Sequence, residues 1–229
     1  AIELRKSFTE FDNDASQSVA VLTGSKGTFC SGFDLKYLVE SNKNTELSPE
    51  EIVTQMHDSE GPGPMGPTRM LLNKPVIAAV EGYAVAGGLE LACWSDIRIA
   101  STSAVFGVYC RRFGVPLIDG GSVRLPRIVG HGRAMDMILT GRPVKAEEAM
   151  EFGLVNQVVE EGGALEAAIA YAHNLTKFPS ICMRADRLSA IQQWDYNLSE
   201  ALVREGRGGN EPLLTEAVAG AASFLKGNR

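Results

Sequence analysis

Three stretches of the chain share one layout, and that layout limits the fold more than any other feature of the sequence. They are AVLTGSKGTFCSG (Ala20–Gly32), VIAAVEGYAVAGG (Val76–Gly88) and IRIASTSAVFG (Ile97–Gly107). Each begins with an apolar, β-prone run, crosses a small polar or glycine turn, and continues in a second short β-prone run that ends on glycine. The first two lead directly into helical patterns, near Asp34–Glu40 and Gly88–Ser95, and the third reaches one later, near Gly120–Ile128. A further apolar run, GLVNQVVE (Gly153–Glu160), precedes an alanine-rich helical pattern. These are degenerate β-β-α repeats whose spacing varies too much for a regular solenoid.

Between the first two repeats lies a long interruption, Ser41–Met70. It contains ELSPEE, a helix start with Ser48 as N-cap and Pro49 in the first position, and then SEGPGPMGP. An interruption of this length is expected to be a functional lid or a disordered insert. The last third reads as helical, with helices ending at Gly141 and Gly153 and breaks at Pro179, Gly206–Gly209 and Pro212. The first residues, AIELRKSFTEFDND, are already helix-like, with Ile2, Leu4, Phe8 and Phe11 along one face. A strand preceding them is expected to be missing.

Composition removes several classes of function. A net charge of -6 over 229 residues argues against a strongly basic surface and makes nucleic acid a poor first choice of partner, though an acidic chain can still carry a local basic pocket for a phosphorylated ligand. No apolar run approaches the roughly 18 to 20 residues of a membrane span. Cys30, Cys93, Cys110 and Cys182 form no CxxC pair and have no neighbours at zinc spacing. They read as reduced thiols of an intracellular protein, in the cytoplasm or the mitochondrial matrix, with no metal site.

Four motifs together resemble the crotonase, or enoyl-CoA hydratase/isomerase, superfamily. They are FCSGFDLK (Phe29–Lys36), KPVIAAVEGYAVAGGLELACWSDIRIAS (Lys74–Ser101), FGVYCRRFGVPLIDGGSVRLPRIVG (Phe106–Gly130) and the run from Ala149 through GLVNQVV to Val159. They occur in order over nearly the whole chain. The resemblance implies an α/β fold, a crotonase-like spiral of β-β-α units over residues 1–171. A C-terminal helical region, 172–229, would serve oligomerisation, as a homotrimer or hexamer. It implies an acyl-CoA thioester as substrate and no separate cofactor, coenzyme A being part of the substrate.

The chemistry implied by the resemblance places negative charge on the thioester oxygen. Two fixed N–H donors in a dry site stabilise such an oxyanion by roughly 3 to 4 kcal/mol each. The matching donors here are the backbone N–H groups of Ser31 and Gly87, and Gly87 also opens a helix whose dipole favours the charge. Glu90 matches the position of a catalytic carboxylate; it sits in an apolar LELAC setting, where burial should raise its pKa toward neutrality. A plain helix-start carboxylate is the alternative for this residue. Hydratases of this kind hold one water between two carboxylates. At the second position this chain has Cys110, a thiol whose ordinary pKa of about 8.5 makes it a weak acid, or simply a small apolar pocket residue.

Asp119, in PLIDGG, is the compensating candidate, its alternative being an N-cap for the helix that follows. The resemblance also assigns Asp34, Leu35 and Lys36 to a turn contacting the adenine and ribose of CoA, a role compatible with Asp34 capping a helix. Arg111 and Arg112 are expected in salt bridges, or against a substrate carboxylate or CoA phosphate. His57, His131 and His173 fall outside the motifs and receive no catalytic role. Met65 and Met70 suit an adaptable acyl pocket.

Hydration of a 2-enoyl-CoA is the leading expectation. Double-bond isomerisation through Glu90 and Asp119, thioester hydrolysis, and a non-catalytic trimeric scaffold or RNA-binding protein are the alternatives. The first three share one site and cannot be separated by fold.

Overall fold

The computed structural model describes residues 1–44 and 61–227. The proposed Ser48 cap, Met56 and His57 lie outside the described residues. The first run of each repeat enters one sheet and the second run enters another. β1 (Ala20–Thr23), β2 (Val76–Val80), β4 (Ile97–Ser101) and β7 (Gln157–Val159) form a four-stranded parallel sheet in the order β1-β2-β4-β7. β3 (Tyr83–Val85), β5 (Val105–Gly107) and β6 (Val144–Lys145) form the second, with β3 and β5 parallel and β6 antiparallel to β5. The second run of the first repeat shrinks to a single bridge from Cys30 to Ala84. Every residue of β2 is buried, as near-continuous apolar runs in parallel sheets require.

Helices close the spiral. α1 (Ile2–Asn13) buries Phe8 and Phe11 against Leu72 and Val76. The buried Lys74 ammonium donates to the carbonyl oxygens of Phe11 and Asp14, each at 2.7 Å, which satisfies the open carbonyls at the helix end. α2 (Leu35–Asn44) follows the first repeat, α3 (Gly87–Trp94) the second, and α4 (Gly121–Val129) the third after a 3-10 turn at Tyr109–Phe113. α5 (His131–Thr140) ends at Gly141 in the left-handed conformation, φ 58°. α6 (Ala146–Glu151) precedes β7, and α7 (Ala164–Leu175) lays Ala164 and Ala168 on Ile77, Ala79 and Ile99 of the first sheet.

Arg98 fixes the end of α3. Its buried guanidinium donates to the carbonyl oxygens of Leu154 (2.6 Å), Ser95 (2.6 Å) and Ala92 (3.2 Å). The last helices are different in kind. α8 (Ser180–Gln192), α9 (Leu198–Gly208), α10 (Asn210–Thr215) and α11 (Ala217–Leu225) bury only Pro212 among them. Leu198, Leu214, Val218 and Leu225 stand exposed on these helices.

The described end of the interruption, residues 61–70, is ordered structure. Over 61–70 the chain makes a tight Gly63–Gly66 bridge and a 3-10 turn at Pro67–Arg69, and Thr68 is fully buried. The expectation of a disordered insert is therefore corrected for these residues.

Candidate active site

Two glycine turns meet at the head of α3. The N–H of Cys30 donates to Tyr83 O at 2.9 Å, and the N–H of Val85 donates to Cys30 O at 3.0 Å, so the two turns lie in register. Ala86 turns β3 into α3 at φ 52°, ψ -124°, a conformation that L side chains rarely adopt. Gly87 is thereby the first helical residue, and its N–H belongs to the first turn, where no intrahelical acceptor exists. A Cβ on Gly32 would fall 3.0 Å from Gly87 N. Ser31 and Gly87 both border one cavity of about 240 Å³.

Glu90 lies on the same helix turn and borders the same cavity, only 3% exposed. Its Oε1 accepts the backbone N–H of Asp119 at 2.9 Å and of Gly121 at 2.8 Å. Burial pushes its pKa up to about 7, and the Asp119 charge adds to the rise. The two N–H donors and the Arg124 guanidinium pull the other way without cancelling it.

Asp119 is also 3% exposed and borders the cavity. The N-cap alternative is corrected: α4 is capped by Gly120 with no side-chain bond. The carboxylate turns instead to the 61–70 segment. Its Oδ1 accepts the N–H of Met65 at 3.0 Å and the hydroxyl of Thr68. These two donors outcompete the local cap because they come preassembled from a buried turn. Arg124 ties the same elements together, donating to Asp119 O at 3.0 Å and to Thr68 O at 2.6 Å.

Cys110 is buried on the cavity wall, where burial and the nearby Glu90 raise its thiol pKa. Asp34 caps α2, accepting the N–H of Lys36 at 2.9 Å. Leu35 borders the cavity, and Lys36 is exposed on the first turn of α2. Among the described residues Arg111 and Arg112 form no salt bridge. Arg112 stacks on the Tyr109 ring at 3.7 Å and donates to Gly141 O at 2.7 Å, so its charge is spent on holding a turn. His131 and His173 are exposed on the surface, away from the cavity.

The remaining lining is apolar: Phe33, Met65, Val85, Tyr109, Phe113 and Ile118 contribute most of it. Thr68, Gly121 and Arg124 join the site without a sequence signal of their own. Arg124 and Gly121 belong to the GGSVRL stretch, but nothing local marks them as partners of Glu90 or Thr68. Among the described residues no group of three or more His, Cys, Asp or Glu side chains is placed to hold a metal ion. No helix among them is long and apolar enough to cross a membrane.

Known proteins resemble this arrangement over nearly the full chain. The enoyl-CoA hydratase/isomerase family model matches residues 1–207. A probable enoyl-CoA hydratase, echA8, of Mycobacterium bovis is 33% identical over 225 residues, covering 98% of this chain and 83% of that protein. The (E)-benzylidenesuccinyl-CoA hydratase of Thauera aromatica is 35% identical over 202 residues, covering 88% of this chain and 75% of that protein. A crystal structure of an enoyl-CoA hydratase from Mycobacterium tuberculosis H37Rv superposes with a TM-score of 0.85 at 35% identity, covering 99% of this chain and 85% of that one. With its two sheets, paired glycine turns and buried helix-start glutamate, the chain belongs to the enoyl-CoA hydratase/isomerase family.

Proposed function

We propose that the protein hydrates 2-enoyl-CoA thioesters reversibly, with Glu90 as the acid–base group. The observation that carries this reading is Glu90 itself. It is a buried carboxylate with a pKa of about 7, held through one oxygen by two backbone donors beside the Gly87 turn. A base titrating near the working pH is suited both to take a proton and to return it. Ionised Glu90 takes a proton from water, and the water oxygen bonds C3 of the enoyl group. The electron pair of the double bond moves onto the thioester oxygen, which the N–H groups of Ser31 and Gly87 stabilise. The proton returned to C2 completes the addition. Asp119, on the same wall, is proposed as the partner that holds the water. Asp34, Leu35 and Lys36 are proposed to meet the nucleotide end of CoA, and no separate cofactor enters the reaction.

The homotrimer or hexamer is part of this proposal, with 172–229 as the oligomerisation region. The many large apolar side chains exposed along α8 to α11, among them Leu198, Leu214, Val218 and Leu225, support it. The free thiols support a reducing compartment, the cytoplasm or the mitochondrial matrix.

One observation favours a second reading. Position 110 carries a thiol, and Asp119 Oδ1 already serves two donors. A double-bond isomerase needs only one base that moves a proton between two carbons, and Glu90 supplies it. Turnover of crotonyl-CoA and of a 3-enoyl-CoA by the wild type, Glu90→Gln, Asp119→Asn and Cys110→Ala separates the readings. Hydration lost in Glu90→Gln and reduced in Asp119→Asn but kept in Cys110→Ala supports the carboxylate pair. Conversion of the 3-enoyl substrate alone supports the isomerase. Full activity of Glu90→Gln overturns both.

A further inference from the structure

The side chain of Met65 lies directly over the helix-start glycine. A Cβ built on Gly87 would fall 2.5 Å from Met65 Sδ and 2.7 Å from its Cγ. The thioether is therefore packed against the Gly87 backbone, next to the N–H assigned to the thioester oxygen. Met65 and Pro64 form one wall of the cavity, which Tyr109 and Phe113 also line. At about 240 Å³ the space is smaller than the roughly 300 to 1,000 Å³ of ordinary ligand sites.

A methionine has three rotatable bonds and adapts readily, so its position here must come from its backbone. That backbone is clasped. The N–H of Met65 and the hydroxyl of Thr68 converge on one oxygen, Asp119 Oδ1. Gly66 N–H donates to Gly63 O at 2.8 Å, closing the turn that carries Met65. Gly63 has to be glycine, because a Cβ there would fall 2.6 Å from Asp119 Oδ1. The Arg124 guanidinium grips the outer side of the clasp through Thr68 O.

We propose that Met65 sets the size of the acyl group the cavity accepts, and that Asp119 Oδ1 and Thr68 act as the clasp holding it there. The inference rests on the acyl-CoA reading of this cavity. Met65 is then a specificity-determining residue and Thr68 a positioning residue. The accepted class is short, compact enoyl thioesters.

The test compares kcat/KM for crotonyl-CoA, 2-hexenoyl-CoA and 2-decenoyl-CoA in the wild type, Met65→Ala, Met65→Leu, Thr68→Val, Thr68→Ser and Asp119→Asn. Thermal melting shows that each variant is folded. One methylene in an apolar pocket is worth roughly 10- to 200-fold in discrimination. Met65→Ala, which cuts the thioether back to a methyl group, is expected to shift the decenoyl-to-crotonyl ratio about tenfold or more toward decenoyl. The near-isosteric Met65→Leu keeps the wild-type ratio. Thr68→Val shifts the ratio in the same direction by a smaller factor, and Thr68→Ser, which keeps the hydroxyl, restores it. Asp119→Asn keeps an oxygen acceptor for both donors, so it lowers kcat without moving the ratio. Turnover by the wild type with a ratio unmoved in Met65→Ala overturns the inference alone. A wild type that turns over none of the three thioesters overturns the acyl-CoA reading, and the inference with it.

Discussion

The backbone N–H of Asp119 donates to Glu90 Oε1 at 2.9 Å, so the residue that supplies a second carboxylate also orients the first. The side chain of Asp119 points its hydrogen bonds the other way, to Met65 and Thr68. One residue thereby links Glu90, proposed as the acid–base group, to the cavity wall proposed to meet the acyl group.

The rate should follow the titration of Glu90. If it takes the proton of water, its ionised form is the active one. Initial kcat/KM for crotonyl-CoA hydration should rise with pH through about 7 and level off above it. Glu90→Gln should lose roughly 10²- to 10⁴-fold in rate and show no such inflection. A wild-type profile that is flat from about two pH units below that inflection to two above it would speak against Glu90 as the base.

The same burial has a cost in stability that pH reveals. The carboxyl titrates at about 7 when folded and near 4.5 when exposed. Between these values the folded chain holds a proton that the unfolded chain has released. The Glu90 contribution is thus fully present below pH 4.5 and is lost as pH rises through 7, at about 3 kcal/mol in all. Gln at position 90 keeps an oxygen for both backbone donors and never ionises. Glu90→Gln should therefore be more stable than the wild type above pH 7, by up to that amount, and similar to it near pH 4.5. Urea denaturation at the two pH values measures the difference.

Gly121 leaves room for the glutamate. A Cβ there would fall 2.9 Å from both Cγ and Oε1 of Glu90. Gly121→Ala should displace the carboxylate by a few tenths of an ångström and cut kcat about tenfold or more, because small misplacements of reacting groups are expensive. KM for CoA thioesters should change little, since the substitution lies behind Glu90. An unchanged kcat would show that turnover does not depend on the close fit between Gly121 and Glu90.

Arg98 supports the site from the far end of α3. Its guanidinium supplies several carbonyl oxygens there and at Leu154. Arg98→Met keeps the apolar stem and strands those acceptors in the interior, each at about 1 to 3 kcal/mol. A loss of at least about 3 kcal/mol in chemical denaturation is expected. A loss under about 1 kcal/mol would mean that water replaces the guanidinium.

Much of the architecture is legible in the order of residues along the chain. The paired runs of the second and third repeats appear as paired strands because a largely apolar run of about five residues, followed by a small polar or glycine turn, has few other ways to be buried. Helix starts are legible where the signal is local: Asp34 caps α2 as its side chain alone predicts, and Glu90 falls in the first turn of α3 by counting from Gly87. Asp119 shows where local reasoning fails. An aspartate before a glycine-led helix reads as a cap, yet its carboxylate is claimed by donors from a segment 51 residues away.

The repeat, the glycine turns and the identity of the buried glutamate follow from the sequence alone, since they depend on neighbours within a few positions. The strand order, the clasp on Met65 and the grip of Asp119 and Gly121 on Glu90 follow only from the folded arrangement. Those hydrogen bonds join residues 29, 31 and 54 positions apart. Their donors and acceptors are backbone N–H groups and common polar side chains, which every stretch of sequence offers. It is the packing of the sheets that selects which of them meet.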